Sequence, residues 1–179
     1  MKISFFLITL NEEENLPRCL RSCADLADEI VIVDSGSTDG TARIAGEFGA
    51  RWHVQNWPGY VEQKNRALAL TRQEWAFSLD ADEELSAELR KEIAALKPSE
   101  PAADVGGFTV PRCVLYEGRW IRHGDWYPDR LLRLVRRDRG AAPVRHPAGR
   151  AVDLWGRATA LQRREMMRPT RALLLLAAL

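Results

Sequence analysis

The sequence predicts an α/β fold: a mostly parallel sheet with helices on both faces, followed by a smaller mixed half. Two observations predict it. Between residues 3 and 97, apolar runs of strand length alternate four times with segments of helical periodicity. A polar, proline-bearing linker at 98–104 then leads to two more strand-like runs, at 108–116 and 131–135. Such alternation is typical of parallel sheets, whose ligands bind beyond the carboxyl ends of the strands.

Three apolar runs and one short segment predict the strands of the first half. The first, at 3–10, is apolar apart from Ser4 and Thr9, as expected of a strand covered on both faces. The other three are predicted at 30–33, 51–54 and 75–79.

Four helices are predicted from apolar residues at helical spacing. The first follows Asn15, which can cap it, and the second stops at Gly49. The third spans 61–71, and the fourth is ended by Pro98. The apolar positions are Leu16, Leu20 and Cys23; Ile44, Ala45 and Phe48; Ala67, Leu68 and Leu70; and Leu85, Leu89, Ile93 and Leu96.

Length and composition restrict the class of protein. The 179 residues, 46% apolar and 28% charged, suffice for one domain with a sizeable core. An odd number of cysteines, three, favours a reduced, cytoplasmic protein. The first apolar run lacks a small-residue cleavage site, and no run approaches the roughly 20 apolar residues of a membrane span. We therefore expect neither a signal peptide nor a transmembrane segment.

An acidic triplet, Asp80-Ala81-Asp82, follows the strand predicted at 75–79. One residue separates Asp80 from Asp82, so in an extended chain their side chains share a face, roughly 6–7 Å apart. Paired carboxylates can hold Mn²⁺ or Mg²⁺ and leave part of its shell for phosphates. The alternative is a solvated turn, because such triplets arise by chance in a chain with 25 acidic residues.

Polar clusters also follow the first two strands, at 9–12 and 34–39. Because the carboxyl ends of parallel strands share one edge, all three clusters are expected to converge on one crevice. Asp34 could accept hydrogen bonds from a base or a ribose hydroxyl, although a plain strand-to-helix turn explains its segment equally well. Lys64 and Asn65 could reach diphosphate oxygens, or form a solvated helix face.

Several motifs carry a family resemblance. They are Thr9-Leu10-Asn11-Glu12-Glu13, Val33-Asp34-Ser35-Gly36-Ser37-Thr38-Asp39, Gln63-Lys64-Asn65 and Asp80-Ala81-Asp82-Glu83. Through them, residues 3–97 resemble the nucleotide-binding half of a family 2 glycosyltransferase of the GT-A fold. The run from His123 to Asp129, followed by Arg130-Leu131-Leu132-Arg133-Leu134, is similar to the subgroup that adds glucose to the inner core of lipopolysaccharide.

The resemblance implies an inverting transfer of a sugar from a nucleoside diphosphate donor, UDP-glucose, to a saccharide or lipopolysaccharide-core acceptor. It implies a divalent cation, Mn²⁺ or Mg²⁺, as cofactor, bound by Asp82, while Asp80 holds the ribose or the metal. We expect the protein in the cytoplasm, with peripheral contact at the membrane face and no nucleic-acid partner. The remaining donor-binding residues that it implies are Thr9, Asn11, Glu12, Asp34, Ser35, Asp39 and Lys64.

The catalytic base is expected in the loop of the second half. Asp125 is favoured slightly over Asp129, and Trp126 with Tyr127 could stack on a sugar ring. The alternative for Asp129 is an ion pair with Arg130 or Arg133 that pins the loop.

Other classes of function fit less well. A nucleotidyltransferase would carry a Gly-rich phosphate loop near the first strand, and a dinucleotide oxidoreductase would carry G-x-G-x-x-G there. Neither pattern is present in the sequence. A relative that binds UDP-sugar without turnover stays open.

The sequence divides into three segments: a nucleotide-sugar-binding half at 1–98, an acceptor-side half of the same domain at 99–139, and an atypical tail at 140–179. In 141–179, 23 of 39 residues are Ala, Arg or Leu, and the family pattern is lost after Gly140. Two explanations stay open: an aberrant, frameshifted reading of GC-rich DNA, or a basic tail that contacts anionic lipid.

Overall fold

Strands and helices alternate through the first half of the computed structural model, which describes residues 1–124, 127–140, 144–145, 151–152 and 175–178. The elements are β1 (Ile3–Thr9), α1 (Leu16–Cys23), β2 (Glu29–Asp34), α2 (Thr41–Glu47), β3 (Arg51–Val54), α3 (Tyr60–Leu70), β4 (Trp75–Ser78), β5 (Glu83–Leu85) and α4 (Ala87–Leu96).

The second half consists mainly of strands. They are β6 (Gly107–Tyr116), β7 (Arg119–Ile121), β8 (Asp129–Arg136), β9 (Val144–Arg145), β10 (Ala151–Val152) and β11 (Leu175–Ala178), with one short helix, α5 (Arg137–Gly140). β9 and β10 form a separate antiparallel pair.

The other nine described strands form one mixed sheet, in the order β3-β2-β1-β4-β8-β6-β11-β5, with β7 paired to β6. β1 runs parallel to β2 and β4, and β2 runs parallel to β3. β8 is antiparallel to β4 and to β6, so the second half extends the sheet of the first. The predicted α/β class, with a mostly parallel first half and a mixed second half, is confirmed.

Helices cover both faces of the sheet. Ile3, Phe5 and Leu7 of β1 face a core shared with α1, α2 and α4, because alternate residues of a strand point to opposite faces. Phe6 faces the smaller core on the other side, against Ala67 and Leu68 of α3. The continuous apolar run of β1 is therefore explained by burial on both faces.

Two local predictions are wrong. Leu85 lies in β5 and not in the fourth helix, which begins after Ser86, whose hydroxyl accepts a hydrogen bond from the N–H of Leu89 at 3.2 Å. Asn15 precedes α1 in a helical conformation and makes no capping hydrogen bond with its side chain, whose NH₂ group donates to Glu12 Oε2 at 3.0 Å. The short strand β7 was not predicted.

Most of the tail at 140–179 lies outside the described residues. The two explanations offered for it, an aberrant reading and a basic tail that contacts lipid, concern this part of the chain. Three short strands in it are described, β9, β10 and β11. Among the helices that the structure describes, none is long and apolar enough to cross a membrane.

Candidate functional site

The candidate site lies at the edge of the sheet where β1, β2 and β4 end. Thr9 pairs with Asp34 across the last residues of β1 and β2, and β4 runs parallel on the other side of β1. The three polar segments predicted to converge therefore follow the carboxyl ends of neighbouring parallel strands.

Asp34 organises the turn that follows β2. Its side chain is buried, and Oδ1 accepts hydrogen bonds from the N–H groups of Gly36 and Ser37 at 2.8 and 2.7 Å. Its Oδ2 accepts from Thr9 Oγ1 at 2.8 Å and Ser37 Oγ at 2.5 Å. A carboxylate has about four acceptor positions, so a ligand contact at Asp34 would share or replace one of these bonds. Gly36 permits the turn, because its φ is +101°.

Asn11 joins the loop after β1 to the loop after β2. Its backbone N–H donates to Ser37 Oγ at 2.7 Å, and its side-chain oxygen accepts from the N–H of Thr38 at 2.9 Å. Asn11 adopts a positive φ of 55°, a conformation that asparagine tolerates better than most residues.

Further hydrogen bonds hold the same two loops together. The N–H of Glu12 donates to Thr41 Oγ1 at 2.8 Å, and the N–H of Glu13 donates to Asp39 Oδ2 at 3.1 Å. In return, the N–H of Gly40 donates to Glu13 Oε2 at 2.6 Å. Backbone donors of one loop thus pair with side-chain acceptors of the other, in both directions, and the loops form one connected surface.

Ser35 links this surface to α3. Its N–H donates to the carbonyl of Thr9 at 2.9 Å, and its hydroxyl accepts from Gln63 Nε2 at 3.3 Å. Gln63 is fully buried, and its Oε1 has no hydrogen-bond partner among the described residues. The sequence motif contains Gln63, but sequence reasoning gave this residue no role.

The Asp80 carboxylate is paired with two positively charged side chains. Its Oδ1 lies 2.7 Å from Lys64 Nζ of α3, and its Oδ2 accepts from Arg133 Nη2 of β8 at 3.1 Å. Burial raises the pKa of Asp80, but the charges of Arg133 and Lys64 outweigh it and lower that pKa to about 2. Lys64 therefore binds within the acidic cluster and is not part of a solvated helix face.

The triplet is a turn, not the extended segment that the spacing suggested. The N–H of Glu83 donates to the carbonyl of Asp80 at 3.0 Å, which closes the turn between β4 and β5. Alternation of faces along a strand therefore does not apply to Asp80 and Asp82.

Sequence reasoning missed the ion pair between Glu83 and Arg133. Glu83 Oε1 lies 2.6 Å from Arg133 Nη2, and both side chains are almost fully buried, 1% and 3% exposed. Burial raises the pKa of Glu83 more than the charge of Arg133 lowers it, with further increases from Asp80 and Asp82. A signal was present in the sequence: an arginine inside an apolar strand has to find a buried partner.

Asp82 suits a divalent cation. Burial raises the pKa of Asp82, and repulsion from the Asp80 carboxylate raises it further, and a bound cation would relieve that repulsion. In the described part of the chain, no cluster of three or more acidic, histidine or cysteine side chains could hold a metal alone. An oxygen-lined pair fits Mn²⁺ or Mg²⁺ completed by phosphates and water, a common arrangement for Mg²⁺ in phosphate-binding sites.

Asp125 and Asp129 are the two candidate catalytic bases. Asp125 lies outside the described residues. Asp129, the first residue of β8, is ion-paired to Arg112 of β6 at 2.7 Å. The predicted alternative of a structural ion pair was right in kind but wrong in its partner, since Arg133 pairs with Asp80 and Glu83 instead.

A family model identifies the chain. The model for glycosyl transferase family 2 matches residues 4–154. The chain belongs to glycosyltransferase family 2. The predicted resemblance is therefore confirmed, and the match extends past Gly140, where the family pattern had been expected to end.

Relatives of this family 2 chain include one protein of lipopolysaccharide core synthesis. The lipopolysaccharide core biosynthesis glycosyltransferase LpsC of Rhizobium meliloti is 39% identical over 145 residues, 78% of this chain and 53% of LpsC. An uncharacterized glycosyltransferase of Rickettsia typhi is 39% identical over 117 residues, 65% of this chain and 40% of that protein. The chain thus spans about half of these relatives or less.

Solved structures share the fold. Glucosyl-3-phosphoglycerate synthase of Mycobacterium tuberculosis, in complex with Mn²⁺ and UDP-glucose, is 26% identical with a TM-score of 0.50, over 63% of this chain and 43% of that one. The same enzyme in complex with Mg²⁺ and UDP gives the same values. TarS of S. aureus is 17% identical with a TM-score of 0.57, in an alignment that covers 100% of this chain and 37% of TarS. At this identity the match supports the fold alone.

Proposed function

We propose that the chain binds a nucleoside diphosphate sugar, UDP-glucose, and transfers glucose with inversion to a saccharide acceptor of the lipopolysaccharide-core type. The observation that carries the proposal is the meeting of two hydrogen-bonded loops and the Asp80–Asp82 turn at one sheet edge. The synthase complexes with UDP-glucose and Mn²⁺ support the donor class, and the similarity to LpsC supports the acceptor class.

The loops after β1 and β2 would form the nucleoside side of the donor site. Thr9 and Asp34 build its floor, because both are buried and bonded to each other. Asn11 and Asp39 fix the two loops in place from either side, so the surface needs little rearrangement on binding. Glu12 and Ser35 belong to the same surface and complete the predicted set.

The β4–β5 turn would form the diphosphate side. Asp82 would hold Mn²⁺ or Mg²⁺ together with Asp80, and Lys64 would offer its ammonium group to a diphosphate oxygen. When bound, the cation neutralises the negative charge that develops on the leaving diphosphate, a contribution of several kcal/mol in metal-assisted reactions. Asp80 keeps Lys64 at this position before the donor arrives.

Asp125 would take the proton of the attacking acceptor hydroxyl. The ion pair of Asp129 with Arg112 supports this choice, because it gives Asp129 a role in joining β6 and β8. The acceptor would lie on the side of β7 and β8. Since a lipopolysaccharide-core acceptor carries lipid, the proposal includes a cytoplasmic location with peripheral contact at the membrane face.

Calorimetry with UDP, UDP-glucose and ATP, each with and without Mn²⁺, tests the proposal. We expect UDP and UDP-glucose to bind with Mn²⁺ and ATP to bind weakly in either condition. ATP binding that exceeds Mn²⁺-dependent UDP binding would overturn it in favour of a nucleotidyltransferase. Donor binding with neither hydrolysis nor transfer of glucose would leave a sugar-nucleotide-binding protein without turnover.

A further inference from the structure

Arg133 connects the two halves of the sheet at the candidate site. It lies on β8, next to β4, and its Nη2 contacts Asp80 Oδ2 at 3.1 Å and Glu83 Oε1 at 2.6 Å. The Arg133 side chain is 3% exposed. A single nitrogen of a buried side chain therefore bridges two carboxylates of the β4–β5 turn.

Glu83 fixes the other side of this bridge. Its Oε2 accepts from the N–H of Asp80 at 3.1 Å, while its Oε1 holds Arg133. The carboxylate of Glu83 thus accepts hydrogen bonds both from the backbone of Asp80 and from the arginine that contacts the Asp80 side chain. The orientation of Asp80 is determined from two directions.

The two oxygens of Asp80 have different partners, which restricts rotation of its carboxylate. Oδ2 is directed to Arg133 in the interior, and Oδ1 is directed to Lys64, which is 13% exposed. Without Arg133, Asp80 would be free to turn toward Lys64 alone or toward water. Buried arginine suits this task, because it stays charged and its planar group makes directional hydrogen bonds.

We propose that Arg133 is a positioning residue of the donor site, which reaches across from β8 and, together with Glu83, holds the Asp80 carboxylate in the orientation that donor binding requires. This inference rests on the proposed function. It assigns no contact between Arg133 and the donor: the arginine acts through Asp80, as partners behind metal-site ligands commonly do.

A purely structural ion pair is the competing explanation, and a charge-neutral double substitution separates the two. Removing Arg133 alone would leave Glu83 buried and uncompensated, which strongly destabilises proteins. Glu83→Gln with Arg133→Gln replaces both members of the pair with neutral amides, so neither group is left as a buried charge without its partner. If the amide pair does not fold, Glu83→Leu with Arg133→Met removes the same interaction with apolar side chains.

A matched control exists on the same strand. Arg136, three residues further along β8, is ion-paired to Glu74 at 2.7 Å and stacks on the ring of Trp75. Arg136 pairs with Trp75 at the start of β4, whereas the β4–β5 turn lies beyond the other end of that strand. Glu74→Gln with Arg136→Gln therefore removes a more exposed arginine–glutamate ion pair of the same strand, away from the candidate site.

The experiment measures UDP affinity with and without Mn²⁺ by calorimetry, on proteins shown to be folded by circular dichroism and thermal unfolding. We expect the Glu83/Arg133 double variant to lose about tenfold or more in Mn²⁺-dependent UDP affinity. The Glu74/Arg136 control is expected to stay within about twofold of the unsubstituted protein. Arg133→Lys keeps the positive charge but not the planar group, and is expected to keep more of the affinity than the double variant but less than the unsubstituted protein.

Equal affinity of the Glu83/Arg133 variant and the unsubstituted protein would overturn the positioning role and leave the donor site in place. An equal loss in the Glu74/Arg136 control would also overturn it, since the effect would then be general. If the unsubstituted protein itself shows no Mn²⁺-dependent UDP binding, the proposed function fails, and the role of Arg133 fails with it.

Discussion

At the β4–β5 turn, the sequence predicts which acidic residues lie at the sheet edge but not their geometry or their partners. The spacing of Asp80 and Asp82 predicts an acidic pair at the sheet edge, but the extended geometry behind that prediction is wrong because the segment is a turn. Arg133 and Glu83 could not be paired from the sequence, since their contact joins residues 50 positions apart. Which arginine meets which carboxylate is decided by the antiparallel pairing of β8 with β4.

Asp82 gives the prediction at this scale. Asp82→Asn keeps the size of the side chain but removes the negative charge that a divalent cation requires. We expect UDP affinity in the variant to become independent of Mn²⁺, with a loss of at least about tenfold in the presence of the ion. Calorimetric titration with and without Mn²⁺ measures both values.

Asp104→Asn in the exposed linker is the control and is expected to leave Mn²⁺ dependence intact. If Asp82→Asn retains the full effect of Mn²⁺, Asp82 does not bind the cation.

At the level of elements, β1, β2 and β4 were predictable because each is largely a run of apolar residues. β1, β2, β3 and β4 begin and end within one residue of the predicted positions. β5 and β7 were missed because each has three residues and exists through its neighbours, β11 and β6 respectively. Hydrophobic periodicity does not contain such long-range pairing.

Glu29 ties several of these elements together. Its Oε2 accepts from Ser4 Oγ of β1 at 2.5 Å and from the N–H of Arg72 at 2.8 Å. Its Oε1 contacts Arg51 of β3 at 2.6 Å. Burial raises the pKa of Glu29, but these hydrogen bonds and the charge of Arg51 outweigh it, so the net pKa is lowered.

Glu29→Gln is therefore expected to lower the free energy of unfolding at pH 7 by about 1–3 kcal/mol. Because the folded-state pKa is below the ordinary 4.5, the stabilisation is present above pH 4.5 and is lost as the pH falls further. Urea unfolding between pH 7 and pH 3 measures the difference, which is expected to shrink at the acidic end.

Glu47→Gln, which removes the exposed partner of Arg43 on α2, is the control and is expected to change stability by less than about 0.5 kcal/mol. A difference between Glu29→Gln and the unsubstituted protein that does not vary with pH would contradict the role of the charge.

At the scale of the whole molecule, one sheet carries both the parallel half and the antiparallel half. The linker at 98–104 separates them in sequence, but β8 hydrogen-bonds directly to β4. This junction brings an arginine of the second half into the acidic turn of the first. The fold class followed from the alternation of strands and helices, whereas this junction depends on strand order, which local patterns do not determine.

We expect the donor to bind at the carboxyl edge of β1, β2 and β4. Hydrogen exchange of backbone N–H groups, measured with and without UDP and Mn²⁺, tests it directly. We expect slower exchange at residues 10–15, 35–41 and 80–83 when both UDP and Mn²⁺ are present. Protection confined to the cleft of about 400 Å³ at the opposite edge, lined by Met1, Lys2, Gln73 and Glu74, would contradict it.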